Sequence, residues 1–299
     1  MTPDADPRSP LRDFRKTRDH FVGIDSDGCA FDTMEVKHKD CFIPNIVGHY
    51  GLAAVARYAR EVAEFLNLYS KWRGINRFPG LVMTLEVLAT RPEVIRRGLT
   101  LPALTGLKDW LARETRLGNP ALAAEVARTG DPDLTLALAW SEAVNRSIEA
   151  IVREVPPFPL VRESLQAMEG RADVMVVSAT PNEALEREWR EHGLRDHVAL
   201  IAGQESGSKK EVLALAAAGR YEPDRVLMIG DAPGDLAAAE ANGVLFYPIE
   251  PGFEEGSWAH LLDEALPRFF AGTFAGPYMA SRVARFLSLL PEVPPWKRT

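Results

Sequence analysis

Acidic residues stand at two places in the chain where an apolar run ends in a turn. Asp25 and Asp27 follow the first run and are separated by one residue, and Asp231 and Asp235 follow a later one. Four carboxylates close together repel one another unless a cation lies between them. Because this set offers oxygen ligands without His or Cys, it favours a hard cation, Mg²⁺ in particular.

A hydroxyl and a pair of lysines occupy comparable places further along the chain. Ser178 ends an apolar run, and Lys209 and Lys210 open a helical pattern after Ser208. A phosphoryl group whose charge is partly neutralised by a metal can be bound by such a hydroxyl and such a lysine. Together with the four acids, these residue types indicate phosphoryl transfer.

These residues can meet only if the runs that carry them are parallel strands of one sheet. We predict strands at 21–25, 174–178, 198–202, 225–230 and 244–249. The last four alternate with predicted helices, for which capping boxes stand at 180–183 and 208–211 and a third helix at 233–241. Alternating strands and helices predict an α/β fold with a doubly wound parallel sheet, which binds ligands at the carboxyl ends of its strands.

A long block without strand patterns separates the first predicted strand from the second. Its apolar residues recur at helical spacing, and consecutive prolines close it. The chain length of 299 residues is also natural for two domains. We therefore predict domains with the following bounds: a loosely structured lead-in at 1–19, an α/β core from 20–33 and 157–299 with added helices from about 256, and an inserted all-helical domain at 34–156.

The chemistry-bearing residues resemble the four motifs of the haloacid dehalogenase-like (HAD) hydrolase superfamily. The first motif, an apolar strand followed by D-x-D-G and then D-T or D-S, corresponds to residues 24–33. The second, a strand ending in Ser or Thr, corresponds to 176–178, and the fourth, G-D followed by another acid, to 230–235. The third motif is the lysine that opens a helix. All four occur in the family's order, and the resemblance, which covers about half of the chain, implies a Rossmann-like core with a helical cap domain.

The resemblance implies roles for the four acids. Asp25 would be the nucleophile that attacks phosphorus and becomes a transient aspartyl phosphate. Asp27 would protonate the leaving oxygen and then activate water as the general base. Mg²⁺ would be held by the Asp25 carboxylate, the Asp27 backbone carbonyl and Asp231. Asp235 would be a further ligand or a partner of one.

The remaining core motif residues would bind the phosphoryl group and the substrate. Ser178 would donate a hydrogen bond to the phosphoryl group, and a lysine would balance its charge. Lys209 is our prediction for that lysine, with Lys210 as the alternative. Gly28 and Ala179 are expected to contact the substrate.

A basic and aromatic segment at 69–77 joins two predicted helices of the inserted block. In the family, an insertion at this place closes over the active site and selects the substrate. We expect Arg73 or Arg77 to reach an anionic part of the substrate. The alternative is an exposed loop whose charges lie in water.

The second acid of the first motif discriminates within the family. Dehalogenase members lack it, so Asp27 favours phosphate ester hydrolysis or phosphomutase chemistry. We expect a Mg²⁺-dependent phosphatase acting on a small phosphorylated metabolite. The alternatives are a sugar phosphomutase and a catalytically silent HAD-like binding protein. Response-regulator receiver domains use similar residues but place the phosphorylated aspartate on a later strand.

Composition indicates which classes of partner and which cellular compartment to expect. The chain has 35 basic and 42 acidic residues, and this net charge of −7 disfavours nucleic acid or an anionic membrane as the partner. Its two cysteines, at 29 and 41, form no CxxC, so we expect a reducing, cytoplasmic location. Neither a signal peptide nor a transmembrane run is expected. The sequence gives no indication of oligomeric state.

Overall fold

The computed structural model of the chain describes residues 6–297. Its strands form one parallel five-stranded sheet with the order β3-β2-β1-β4-β5. They are β1 (His20–Ile24), β2 (Ala172–Val177), β3 (Leu200–Ala202), β4 (Val226–Gly230) and β5 (Leu245–Pro248). Central β1 pairs with both β2 and β4, so the strand order reverses there. This confirms the predicted doubly wound sheet.

Sixteen α-helices accompany the sheet within the described residues. They are α1 (Ser9–Asp13), α2 (Thr33–Val36), α3 (Ile43–His49), α4 (Ala56–Leu68), α5 (Arg77–Ala89), α6 (Pro92–Ile95), α7 (Thr105–Leu111), α8 (Asn119–Thr129), α9 (Pro132–Ile151), α10 (Val161–Met168), α11 (Asn182–Glu191), α12 (Lys209–Ala217), α13 (Pro233–Ala241), α14 (Glu254–His260), α15 (Leu266–Phe270) and α16 (Pro277–Ser288). π-Helical stretches at Lys37–Phe42 and Leu261–Ala265 link α2 to α3 and α14 to α15. No helix among residues 6–297 is long and apolar enough to cross a membrane.

The described residues divide into two compact units. The core unit comprises residues 6–33 and 154–290 and contains the whole sheet. Strands β2 and β4 are buried along their entire length, as expected of parallel strands whose two faces are both covered. The helical unit comprises residues 34–153 and 291–297 and has its own apolar core, which includes Phe78, Trp110 and Trp140.

The tail at 291–297 differs from the predicted organisation, which placed it with the core. The Trp296 ring lies 5.6 Å from the Phe65 ring and 4.5 Å from the Arg91 guanidinium, both in the helical unit. The Lys71 amine also pairs with the Glu292 carboxylate at 2.6 Å. Aromatic and ionic contacts therefore attach the tail to the helical unit.

The predicted loose lead-in is also corrected where it is described. Residues 6–19 include helix α1, and Leu11 in that helix is buried against α12. The Arg220 guanidinium of the core also donates to the backbone carbonyls of Leu11 and Arg12, at 3.1 and 2.8 Å. Residues 1–5 of the predicted lead-in lie outside the described residues.

Asp173, a buried residue of β2, also attaches the segment to the core. Its carboxylate accepts hydrogen bonds from the Thr17 amide and hydroxyl, the Arg18 amide and the Tyr221 hydroxyl, at 2.5–2.9 Å. Burial alone would raise the pKa of Asp173. The hydroxyl and amide donors outweigh burial and hold that pKa below its usual value.

Candidate active site

The carboxyl ends of β1, β2 and β4 place the motif residues on one rim of the sheet. The amide of Asp25 donates to the Ile229 carbonyl at 3.0 Å, so the β1–β4 ladder continues to the first acid. The amide of Ser178 likewise donates to the Ala202 carbonyl at 3.0 Å. Asp231 follows directly after the end of β4. The predicted edge of the sheet therefore carries these side chains.

Three of the four acids form a buried cluster. Asp25, Asp231 and Asp235 each offer a carboxylate oxygen, and these oxygens all lie within 4.8 Å of one another. Their side chains are almost inaccessible to solvent. Gly230 makes this packing possible, because a Cβ at that position would lie 2.4–2.5 Å from atoms of Asp235. The structure thus brings together three of the carboxylates that the sequence nominates.

Lys209 supplies positive charge to this cluster. Its Nζ lies 2.6 Å from Oδ2 of Asp25 and 2.5 Å from Oδ1 of Asp235. Burial would lower the pKa of Lys209, but the carboxylates of Asp235 and Asp25 outweigh that effect and raise it, so the amine is charged. Lys210, the alternative, is exposed to solvent.

Local sequence explains why Lys209 is held there. Ser208 caps α12 by accepting from the Glu211 amide, and Glu211 accepts in return from the Ser208 amide at 2.9 Å. The predicted capping box at 208–211 is therefore confirmed. It fixes Lys209 in the first turn of α12, from which its side chain reaches the acids.

Burial raises the pKa values of the clustered acids. The pKa of Asp25 rises to about 6, because burial and the negative charge of Asp235 outweigh the attraction of Lys209. Burial raises the pKa of Asp235 as well. The nearby Cys29 thiol is fully buried, and burial holds its pKa well above the usual range, so it does not supply a thiolate nucleophile.

The donor set fits a divalent hard cation. Three carboxylates and one ammonium carry formal charges of −3 and +1, which leave −2 in a buried place. A divalent cation would balance that charge, and carboxylate oxygens are the ligands that Mg²⁺ prefers. Asp25, Asp231 and Asp235 are the residues that could hold it.

Asp27 is held by two threonine hydroxyls. Thr33 donates to its Oδ1 at 2.5 Å, and Thr180 donates to its Oδ2 at 2.6 Å. The predicted capping box at 180–183 is wrong, because α11 begins at Asn182 and has no side-chain cap. The Thr180 hydroxyl bonds to Asp27 instead. Sequence reasoning missed both threonines as partners of this acid, and the only local signals are Thr33 in the first motif and Thr180 two residues after Ser178.

The loop after β1 is fixed by its own backbone and by α11. Gly28 has a φ of +73°, a conformation that favours glycine, and its amide donates to the Phe31 carbonyl at 2.8 Å. Ser26 lies between the two acids, is fully buried and accepts from Nε1 of Trp189 at 3.0 Å. These bonds define the backbone on which Asp25 and Asp27 stand.

The second motif presents a buried hydroxyl followed by an exposed residue. Ser178 is buried, and its Oγ accepts from the Thr180 amide at 3.3 Å. Ala179 is exposed at the end of β2. Ser178 and Ala179 follow the end of β2, and Gly28 lies in the loop after β1, while the contact of these residues with a substrate stays a prediction.

The two arginines proposed for substrate recognition belong to the helical unit. Arg73 is buried and donates through Nη1 to the Leu68 carbonyl at 2.9 Å, so the reading of an exposed loop with solvated charges is wrong for it. Arg77 does not lie in the loop but begins α5, whose N-cap is Asn76. Arg73 is buried and Arg77 is half-buried, and local hydrogen bonds hold both guanidiniums, so their role with a substrate stays a prediction.

Comparison with known proteins identifies the family. The model of the haloacid dehalogenase-like hydrolase family matches residues 24–243, which is more than half of the chain and includes all four motifs. A search of curated proteins found no match.

Solved structures that resemble the chain share little sequence with it. A HAD-superfamily hydrolase of subfamily IA from Geobacter sulfurreducens is 20% identical, with 77% of this chain and 86% of that chain covered and a TM-score of 0.39. A protein described as a predicted phosphoglycolate phosphatase from Haemophilus somnus is 12% identical, with 78% and 86% covered and a TM-score of 0.45. A haloacid dehalogenase-like family protein from Streptococcus pneumoniae is 11% identical, with 80% and 90% covered and a TM-score of 0.43. The family is shown by the match of residues 24–243 to the family model. The chain is therefore a member of the haloacid dehalogenase-like hydrolase family.

Proposed function

We propose that the chain is a Mg²⁺-dependent phosphoric monoester hydrolase that acts on a small phosphorylated metabolite. The observation that carries this proposal is the buried cluster of Asp25, Asp231 and Asp235 with Lys209. A second acid, Asp27, stands two residues after the proposed nucleophile. Dehalogenases of the family lack this acid, and ester hydrolysis needs it to move a proton.

Asp25, Asp231 and Asp235 would hold Mg²⁺, with the Asp27 backbone carbonyl as a further ligand. When bound, Mg²⁺ would offset the negative charge that carboxylates and a phosphate ester bring together. Lys209 contributes one positive charge of its own to the same place. The site could then accept a dianionic phosphate despite the negative charge of the chain.

In the first half of the reaction, a carboxylate oxygen of Asp25 attacks phosphorus. The bond from phosphorus to the ester oxygen breaks, and Asp27 gives its proton to the departing oxygen. The product is an aspartyl phosphate on Asp25 and a free alcohol. Ser178 and Lys209 bind the phosphoryl group during this transfer.

In the second half, a water molecule attacks the phosphorus of the aspartyl phosphate, and Asp27 takes its proton. The bond to Asp25 breaks, and inorganic phosphate leaves with the Asp25 carboxylate restored. Thr33 and Thr180 orient Asp27 through both steps, since a hydroxyl can donate to a carboxylate and accept from a protonated carboxyl. They act as positioning residues.

The helical unit is our candidate for substrate selection. It is inserted between β1 and β2 and carries Arg73 and Arg77, the only site residues of the sequence analysis outside the core unit among those described. The core residues described above would recognise only the phosphate group of the substrate. The alcohol must be selected by residues that the four motifs do not include.

A panel of phosphorylated metabolites tests the proposal. We expect phosphate release that requires Mg²⁺, is abolished by EDTA and falls at least about a thousandfold in Asp25→Asn. The matched control is Asp224→Asn, an exposed acid that should leave the rate unchanged. Absence of Mg²⁺-dependent release across a broad panel would contradict the proposal. Interconversion of sugar monophosphates with an activating bisphosphate, and without phosphate release, would indicate a phosphomutase instead.

A further inference from the structure

Arg77 is a half-buried cation that no carboxylate pairs with in the described part of the chain. Its Nη1 donates to the Ser141 hydroxyl at 2.9 Å, the Ser141 carbonyl at 3.3 Å and Oδ1 of Asn145 at 2.7 Å, and none of these acceptors is charged. The guanidinium also lies 5.0 Å from the Phe42 ring. Burial lowers the pKa of Arg77 to about 10. A charge that has lost much of its hydration and has no counter-charge is unfavourable, so an anion would stabilise it.

Trp140 offers a second unused donor in the same place. The residue is 1% exposed, and its Nε1–H has no hydrogen-bond partner among the described residues. Its ring packs edge-on against Phe42 and Phe78, with centroids 6.1 and 6.3 Å away. Buried donors are almost always satisfied in folded proteins, so an unpaired one indicates a missing partner.

Arg77 and Trp140 line one small cavity of the helical unit. Its volume is about 10 Å³, which suffices for one water-sized group. The rest of the lining is His38, Phe42, Ile43, Ile46, Asn67, Gly80 and Leu81. Water could accept from the Trp140 N–H but would leave the Arg77 charge unbalanced. An anionic oxygen would satisfy both.

We propose that this cavity binds one oxygen of a carboxylate, with the Arg77 guanidinium and the Trp140 N–H as its recognition groups. The carboxylate could belong to a free acid or to a phosphorylated substrate. The second source rests on the proposed function, whereas the cavity and its donors do not. Of the two arginines that the sequence analysis offered, the structure assigns anion recognition to Arg77.

Titration with sodium formate at fixed ionic strength tests the site directly. The chain has six tryptophans, so the indole N–H region of an NMR spectrum resolves the relevant proton, and Trp140→Phe assigns it. We expect formate to shift the Trp140 resonance saturably and Arg77→Gln to abolish this shift. Arg77→Lys keeps the charge but loses the planar guanidinium, so it should weaken the affinity for formate at least about tenfold. The control Arg60→Gln changes an exposed arginine of α4 and should keep the shift. No saturable shift up to about 100 mM formate, or an equal shift in Arg77→Gln, would overturn the proposal.

Kinetics with matched esters distinguish the two sources of the carboxylate. 3-Phosphoglycerate and glycerol 3-phosphate share a carbon skeleton, and only the first carries a carboxylate. If the substrate supplies it, Arg77→Gln should raise KM for 3-phosphoglycerate about tenfold or more and leave KM for glycerol 3-phosphate unchanged. Equal effects on both esters, with formate binding intact, would assign the site to a free acid. If the protein hydrolyses neither ester, the formate titration still decides the site independently of the proposed function.

Discussion

Replacing Lys209 by methionine removes the cation that contacts the buried carboxylates of Asp25 and Asp235. Its Nζ lies 2.6 Å from Asp25 and 2.5 Å from Asp235, and its side chain is 18% exposed. Breaking a buried ion pair by removing one partner costs about 3–5 kcal/mol, because the remaining charge is left uncompensated. In EDTA at pH 8 we therefore expect the free energy of unfolding of the core unit to fall by about 3 kcal/mol.

The loss should depend on pH in a defined direction. The pKa of Asp25 is about 6 with Lys209 in place and must rise further without it. Above pH 6 the folded variant then retains a proton that both the unfolded chain and the original protein have lost. Its stability consequently falls as pH rises through this window, by up to about 1.4 kcal/mol per pH unit. Below pH 6 the carboxyl is protonated in both proteins, and the difference between them should shrink.

Hydrogen exchange of peptides from β1 and β4 along a urea titration measures this loss, since the chain has two units and a global signal would mix them. The control is Lys210→Met, because Lys210 is exposed on the same helix. A Lys209→Met protein as stable as the original at pH 8 would refute the reasoning. So would a loss of equal size at pH 5.5 and pH 8.

Three further predictions concern single contacts. Gly230→Ala should displace Asp235 and so reduce the increase in Tm that Mg²⁺ produces. The control is Gly234→Ala, whose Cβ would meet no atom within 4 Å and which should leave that increase unchanged. Equal effects of the two variants would contradict the account. Asp173→Asn should lower stability at pH 7 by about 2 kcal/mol. Because the pKa of Asp173 is lowered in the folded protein, its carboxylate stabilises the fold above the unfolded pKa of about 3.9, and this stabilisation is lost as pH falls through the folded pKa. The stability of Asp173→Asn should therefore fall less steeply with acid than that of the original protein. An unchanged dependence of stability on acid pH would count against this. Trp296→Ala should lower the free energy of unfolding of the helical unit by about 2 kcal/mol. Hydrogen exchange in α4 should then be faster, and exchange in β1 should be unchanged. Slower or equal exchange in α4 would refute the attachment of the tail.

The sheet and its rim were predictable because local patterns decide them. Five apolar runs, each ended by glycine, acid or hydroxyl residues, fix both the strands and the side chains at their carboxyl ends. Lys209 was predictable for the same reason, since the capping box that starts α12 depends on residues three apart. Strand bounds differ from the predicted ones by at most two residues, and β3, predicted at 198–202, is only three residues long.

What the sequence could not predict depends on contacts between distant residues. Thr180 fits a capping-box pattern, and only its 2.6 Å bond to Asp27, 153 positions away, shows that its hydroxyl is used elsewhere. Arg77 fits a basic loop equally well. Its partial burial and its uncharged partners on α9 become visible only when the helical unit is folded. Trp296 follows no periodic pattern, so its unit could not be assigned from sequence.

Chemical trapping at Asp25 tests the central claim most directly. The protein, turning over its best substrate with Mg²⁺, is quenched in acid and reduced with borohydride, which converts an aspartyl phosphate to homoserine. The account predicts homoserine at position 25 in the digested protein, dependent on both substrate and Mg²⁺, and none in Asp25→Asn. An actively hydrolysing protein whose position 25 is recovered only as aspartate, or whose homoserine stands at another position, would contradict it.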